Sequence, residues 1–246
     1  LYPSIAWTDG CGRLGGQHGR MLRVQFPRIH EALLDAWAVL MPVECAGCGA
    51  HDRALCAPCR ASLTAHPAWH TLPDGTRMVS ALNYANEARQ VILAFKENGR
   101  TDAAAALAAA LRCALLTAAS AVPDQGRFEL ALIPTSRRSF RRRGYDPVAM
   151  LVRRAGFRAT PVLTHDRATL QQKTLDVDSR HRNLVGSLRA VAALDGRRFV
   201  VVDDVATTGA TLVEASRAIR HAGGEVISAA TLAHTERYFA PTPAVS

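Results

Sequence analysis

Lysine is almost missing from this chain: of its 30 basic residues all but Lys96 and Lys173 are arginine. No Gly-Lys-Ser or Gly-Lys-Thr triplet occurs, which excludes a Walker-type phosphate loop, and no Gly-x-Gly-x-x-Gly follows an apolar strand, which excludes a dinucleotide fingerprint. Aromatic residues make up 6% of the chain, too few for a broad base-stacking platform. No signal peptide is visible in the sequence either. The apolar run from Ala36 to Val43 is broken by Pro42 and followed by Glu44 instead of a small-residue cleavage site, so a cytoplasmic location is expected. The most membrane-like stretch, Ala103 to Val122, carries Arg112, Thr117 and Ser120 and repeats leucine at 107, 111 and 115. That pattern predicts a buried helix and no membrane span. No internal repeat is visible.

With 246 residues, 48% of them hydrophobic, the chain can build one α/β core and a small appendage. The expected layout is a disordered extension over 1–28, a helix and cysteine module over 29–64, an α/β domain over 77–236 and a flexible tail over 237–246. Within it, a helix is expected from Ile29 to Leu40 and a linker from Ala65 to Thr76. A strand follows from Val79 to Tyr84, then an amphipathic helix from Glu87 to about Asn98, stopped by Gly99. Phe128 to Ile133 reads as a buried parallel strand ended by Pro134, where a basic loop begins. A helix follows Pro147, a short strand spans Pro161 to Leu163, and Gln171 to Asn183 is polar and long enough for a mobile loop. Phe199 to Val202 is the clearest strand, followed by a helix from Thr211 to His221, the pair Gly223-Gly224, and a strand from Val226 to Leu232.

The net charge of +9 is concentrated: residues 127 to 198 hold 16 Lys+Arg against 6 Asp+Glu, the rest 14 against 15. Guanidinium forks suit phosphate oxygens, so a polyanionic ligand is expected there.

Cys45-x-x-Cys48 and Cys56-x-x-Cys59 are two pairs seven residues apart. Each pair has the spacing by which a tight turn aims two thiolates at one metal, and four sulfurs complete a tetrahedral structural zinc site with no open position for water. Gly47 and Gly49 let the backbone turn, and Pro58 stiffens the second knuckle. Cys11 and Cys113 have no such partners; Cys113 is expected as a buried small hydrophobe.

The second constellation begins where Phe199 to Val202 deliver Asp203 and Asp204 to a strand end, the place where open α/β sheets hold ligands. Val205-Ala-Thr-Thr-Gly-Ala-Thr211 follows and leads into a helix. Free amides at a helix start, the helix dipole and the hydroxyls of Thr207, Thr208 and Thr211 suit a phosphate, and Gly209 allows close approach. The two carboxylates are expected as surface groups that accept hydrogen bonds from ribose hydroxyls.

Val200 to Leu212 resembles the phosphoribosyl-pyrophosphate motif of type I phosphoribosyltransferases. The cysteine module, the Tyr84–Lys96 segment, Ile133-Pro-Thr-Ser-Arg-Arg138, Arg143-Gly-Tyr145 and Arg182-Asn-Leu-Val-Gly186 occur in an order similar to the ComF family of competence-associated proteins. The resemblance implies a type I phosphoribosyltransferase fold, a parallel sheet flanked by helices, behind a zinc-ribbon-like module of four cysteines. It implies that Asp203 and Asp204 hold the ribose, Ala206, Thr207, Thr208, Gly209, Ala210 and Thr211 the 5-phosphate, and Thr135, Ser136, Arg137 and Arg138 the pyrophosphate, with Mg2+ bound alongside phosphoribosyl pyrophosphate. The family pattern departs at Tyr145-Asp146-Pro147, which replaces a more usual Phe-Asn-Gln. No general base is named; His165, His181 and Lys173 lie in or near the expected mobile loop. Two functions remain open: phosphoribosyl transfer to an unknown acceptor, or non-enzymatic binding of single-stranded DNA alongside other DNA-uptake proteins in natural transformation, with Trp69 or Phe140 stacking on bases.

Overall fold

The computed structural model describes residues 43–51, 53–122, 127–166 and 185–235. The expected helix from Ile29 to Leu40, the terminal extension and tail, Cys11, and the loop from Gln171 to Asn183 with His181 and Lys173 lie outside them.

A six-stranded sheet forms the centre, in the order β1 (Ala68–Thr71), β2 (Arg77–Asn83), β8 (Glu225–His234), β7 (Arg198–Ala206), β3 (Glu129–Leu132), β4 (Ala159–Thr160). Strands β2, β8, β7, β3 and β4 are parallel, and β1 closes the edge antiparallel to β2. Strand β7 is apolar on both sides because both faces of the sheet are covered. Val200 and Val202 join one core and Phe199 and Val201 the other, all fully buried.

Helices α2 (Asn86–Glu97), α3 (Ala104–Ser120) and α5 (Pro147–Arg154) contribute to the first core. Leu107, Leu111 and Leu115, on one face of α3 by their four-residue spacing, are all buried in it. Residues 101–120 are the stretch among the described residues that is long and apolar enough to cross a membrane. Packing of that leucine face, and the hydrogen bond from Arg112 Nη1 to the Ala155 carbonyl at 2.8 Å, make it a core helix. Helix α6 (Ala210–His221) and a hairpin of β5 (Leu163–His165) and β6 (Leu188–Ala190) belong to the second core. Buried Glu214 on α6 accepts the Leu188 amide at 2.9 Å, tying the hairpin to the helix. This is the expected α/β fold, a mostly parallel sheet flanked by helices.

Three expectations change. The supposed linker holds β1, followed by a tight turn in which Gly75 has φ +81° and Asp74 accepts the Thr76 amide. The basic segment after Pro134 is not all loop: Arg137–Arg143 forms helix α4, capped by Ser136 at its start and by left-handed Gly144 at its end. The strand placed over Pro161–Leu163 is two short ones, β4 and β5, on either side of Pro161, whose missing N–H cannot join a ladder.

Candidate functional site

The four cysteines meet as the sequence predicts. Their sulfurs lie within 4.8 Å of one another, with Cys45 to Cys56 and Cys48 to Cys56 at 3.6 Å, and all four are free thiols. Tetrahedral zinc with bonds of about 2.3 Å needs sulfur–sulfur edges of about 3.8 Å, so the donor set fits such an ion. Two turns build it. In the first, Gly49 N donates to the Cys45 carbonyl at 2.9 Å. In the second, Cys56 caps helix α1 (Ala57–Ala61), which carries Cys59. Gly47 is required by contact: a Cβ there would stand 2.6 Å from Cys59 Sγ. Arg100 joins the module to the segment after α2, donating from Nη2 to the carbonyls of Glu44 and Ala54 at 2.9 and 3.1 Å. Cys113 stands apart in α3 and is half-buried, not buried as expected.

The second site lies at the C-terminal end of β7. Asp203 and Asp204 occupy its last turn of strand, and each carboxylate folds back onto the next amide, Asp203 Oδ1 accepting from Asp204 N at 2.8 Å and Asp204 Oδ1 from Val205 N at 2.7 Å. They are not surface groups. The Asp204 side chain is 12% exposed, and burial, followed by the charge of adjacent Asp204, pushes the Asp203 carboxyl up to about 8. The ammonium of Lys96, from the last turn of α2, lies 2.8 Å from Asp204 Oδ2.

Beyond the carboxylates the chain turns through Thr207 and Thr208 into α6. Thr208 Oγ1 accepts the Ala210 amide at 3.2 Å. Gly209 has φ +72°, and a Cβ on it would reach 2.5 Å from Leu72 Cδ2, so this loop is shaped for glycine twice over. The head of α6 therefore carries the orphan amides and positive dipole end that suit a phosphate. Ala206 is buried and Thr207 exposed at the rim.

Strands β3 and β7 are neighbours, so the segment after β3 rises beside the carboxylates. There Thr135 Oγ1 donates to Asp146 Oδ2 at 2.8 Å, and Asp146 Oδ1 accepts the Ala149 amide that opens α5. The departure from Phe-Asn-Gln thus has a structural meaning: Asp146 serves as the helix cap and anchors Thr135. Ser136 caps α4, leaving Arg137 and Arg138 exposed and without an ion pair among the described residues. His165 Nε2 lies 2.9 Å from the Pro134 carbonyl, at the root of the same segment.

Four arginines of the basic segment are already paired. Glu97 pairs with Arg142 and, at 2.7 Å, with Arg143; Arg197 pairs with Glu129 at 2.7 Å and Arg198 with Glu225 at 3.5 Å. Lys96 and Asp146 are the site residues to which the sequence assigned no role. Asp146 carried a signal, an acid one residue before a proline that opens a helix. Lys96 carried none, since a lysine in a last helical turn reads as a partner for the dipole.

Comparison with known proteins agrees with this geometry. Residues 151–242 match the family model of the phosphoribosyl transferase domain. The DNA utilization protein YhgH of Escherichia coli K12 is 28% identical over 196 residues, 78% of this chain and 84% of that protein. Its counterpart from Salmonella typhimurium is also 28% identical over the same span. A shorter likeness, 52% over 46 residues, links 18% of the chain to 24% of the orotate phosphoribosyltransferase of Pyrobaculum calidifontis. A cluster of four cysteines ahead of a stretch that matches the phosphoribosyl transferase domain, in a chain similar over most of its length to the YhgH proteins, agrees with the resemblance to the ComF family carried by the motifs.

Proposed function

We propose that this protein binds phosphoribosyl pyrophosphate with Mg2+ at the end of β7 and transfers the phosphoribosyl group to an acceptor. The observation that carries this reading is the adjacent pair Asp203 and Asp204 followed at once by the Thr-Thr-Gly turn into α6. A plain phosphate site has no use for carboxylates, whereas a ribose phosphate offers two hydroxyls for them to accept. In this reading Ala206 to Thr211 bind the 5-phosphate, Asp203 and Asp204 the ribose, and Thr135 to Arg138 the diphosphate. Transfer breaks the bond between the anomeric carbon and the pyrophosphate oxygen, forms one from that carbon to the acceptor, and releases pyrophosphate. The ribose gains oxocarbenium character on the way. Mg2+ neutralises the leaving group when bound; Arg137 and Arg138, with no carboxylate partner of their own among the described residues, add positive charge as pyrophosphate departs. The four cysteines hold one structural zinc ion.

Asp204→Asn is the direct test of the ribose assignment. A hydroxyl bonded to a charged acceptor is worth about 1.5–3 kcal/mol, so affinity for phosphoribosyl pyrophosphate in the presence of Mg2+ falls roughly tenfold to a hundredfold. Calorimetry reads the change, and equal binding by the variant removes the pocket assignment.

A second reading has its own support in the DNA utilization relatives and in α4, where Arg137, Arg138 and Arg141 are exposed beside Phe140, itself 49% exposed. There the protein acts on single-stranded DNA during uptake, with other uptake proteins. Arg142 and Arg143 belong to Glu97 and are poor reporters. The informative variant replaces Arg137, Arg138 and Arg141 by alanine. DNA affinity then falls, and its dependence on salt, about 0.7 log units per decade for each phosphate neutralised, becomes shallower. Wild-type protein that binds no single-stranded DNA at low salt ends this reading and leaves the first intact.

A further inference from the structure

The last turn of α2 sends two consecutive side chains to the two halves of the site. Lys96 reaches Asp204 at 2.8 Å, while Glu97 takes Arg143 at 2.7 Å and Arg142 on its other oxygen. The residue before them, Phe95, accepts the Tyr145 hydroxyl on its carbonyl, and its ring lies 5.7 Å from the Tyr145 ring. Tyr145 adjoins Asp146, which holds Thr135. Three successive residues of one helix therefore touch the strand that carries the carboxylates and the C-terminal end of the helix whose first turn holds Arg137 and Arg138, two of the residues assigned to the diphosphate. Adjacent positions on a helix do not share a face, so Lys96 and Glu97 can serve different partners without competing.

Core packing does not call for this arrangement. The buried face of α2 is Ala88, Val91, Ile92, Ala94 and Phe95. The Lys96 side chain remains 24% exposed and that of Glu97 34%. Asp203 and Asp204 lie side by side in a half-buried place with this ammonium on Asp204, and in such surroundings a charge contact is weakly screened. Both Asp204 oxygens are engaged, Oδ1 by the Val205 amide and Oδ2 by Lys96, which fixes the carboxylate in one orientation.

Resting on the phosphoribosyl reading above, we propose that Lys96 and Glu97 are positioning residues that tune the two arms of the ligand separately. Lys96 holds Asp204 for the ribose arm. Glu97 holds Arg142 and Arg143, and with them the helix that begins at Arg137, for the diphosphate arm. The site then distinguishes a phosphoribosyl diphosphate from a bare sugar phosphate through a residue that touches neither.

Calorimetry on the full chain with ribose 5-phosphate, and with phosphoribosyl pyrophosphate plus Mg2+, tests this in wild type, Lys96→Met, Lys96→Arg, Glu97→Ala and Glu97→Gln. Lys96→Met weakens both ligands by a similar factor, roughly tenfold, and Lys96→Arg recovers part of it because a guanidinium can also pair with Asp204. Glu97→Ala loses affinity chiefly for the diphosphate ligand, so the ratio of the two affinities shifts; Glu97→Gln, which keeps the shape and one acceptor, shifts it less. A merely structural role would lower both ligands together in every variant, and that result overturns the proposal. So does unchanged binding in Lys96→Met. Wild-type protein that binds neither ligand removes the phosphoribosyl reading itself, an outcome distinct from wild type binding both while the variants fail to discriminate.

Discussion

Chelating the zinc proposed for the four-cysteine cluster should unfold the segment from Cys45 to Cys59 and leave the sheet standing. Metal-linked folding in structural zinc sites is worth about 10–16 kcal/mol. Helix α1 has five residues, far too few to hold together without its knuckle. The core around α6 holds no residue of the module, and the core around α3 loses only the edge formed by Cys45, Leu55, Cys59 and Leu63, keeping its contacts among β2, β7, β8 and the long helices. Cys48→Ser is the clean variant, because Cys48 is exposed; replacing it opens no core cavity, so any loss reflects the missing ligand. Elemental analysis of protein purified without chelator should find one zinc per chain, and the variant should lose it. Chelator should abolish the module's amide protection while the strand amides stay protected. Metal-free protein with a Cys45–Cys48 or Cys56–Cys59 disulfide would sink the assignment.

What could be read in the sequence was whatever leaves a local mark. Phe199 to Val202 announce a strand buried on both faces, and the doubled cysteine pairs announce a metal site by spacing alone. Helix α4 left no such mark, because periodicity reports a buried face and α4 buries no residue; only its caps, Ser136 and Gly144, betrayed it. Strand β1 was hidden by the prolines, histidine and tryptophan around it, although Asp74-Gly75 is a turn signal. Lys96 and Asp204 stand 108 positions apart in the numbering, and no local pattern joins them. The basic surplus was legible only as a count: Glu97 and Glu129 show which arginines are already paired only once helices and strands are in place.

Asp203→Asn makes the protein more stable at neutral and mildly alkaline pH while weakening its hold on the ribose. An aspartate in the unfolded chain titrates near 3.8, whereas burial and the neighbouring Asp204 charge raise Asp203 to about 8 in the fold. Between those values the native state binds a proton that the unfolded chain has released. Stability contributed by this group is therefore fully present below pH 3.8 and is lost as pH rises through about 8. Asparagine cannot titrate, and its side-chain oxygen can still accept the Asp204 amide, so the loss disappears while that hydrogen bond is kept. Thermal melts of both proteins from pH 4 to pH 8 should diverge steadily, the variant gaining on wild type as pH rises. Parallel curves would show that Asp203 is solvated and ordinary. The same substitution replaces one of the two side-chain oxygens available to a ribose hydroxyl by an amide nitrogen, so ligand affinity moves in the opposite direction from stability. That opposition is expected of a half-buried carboxyl kept for ligand binding, because its place in the fold disfavours the charge while the ligand uses its oxygens.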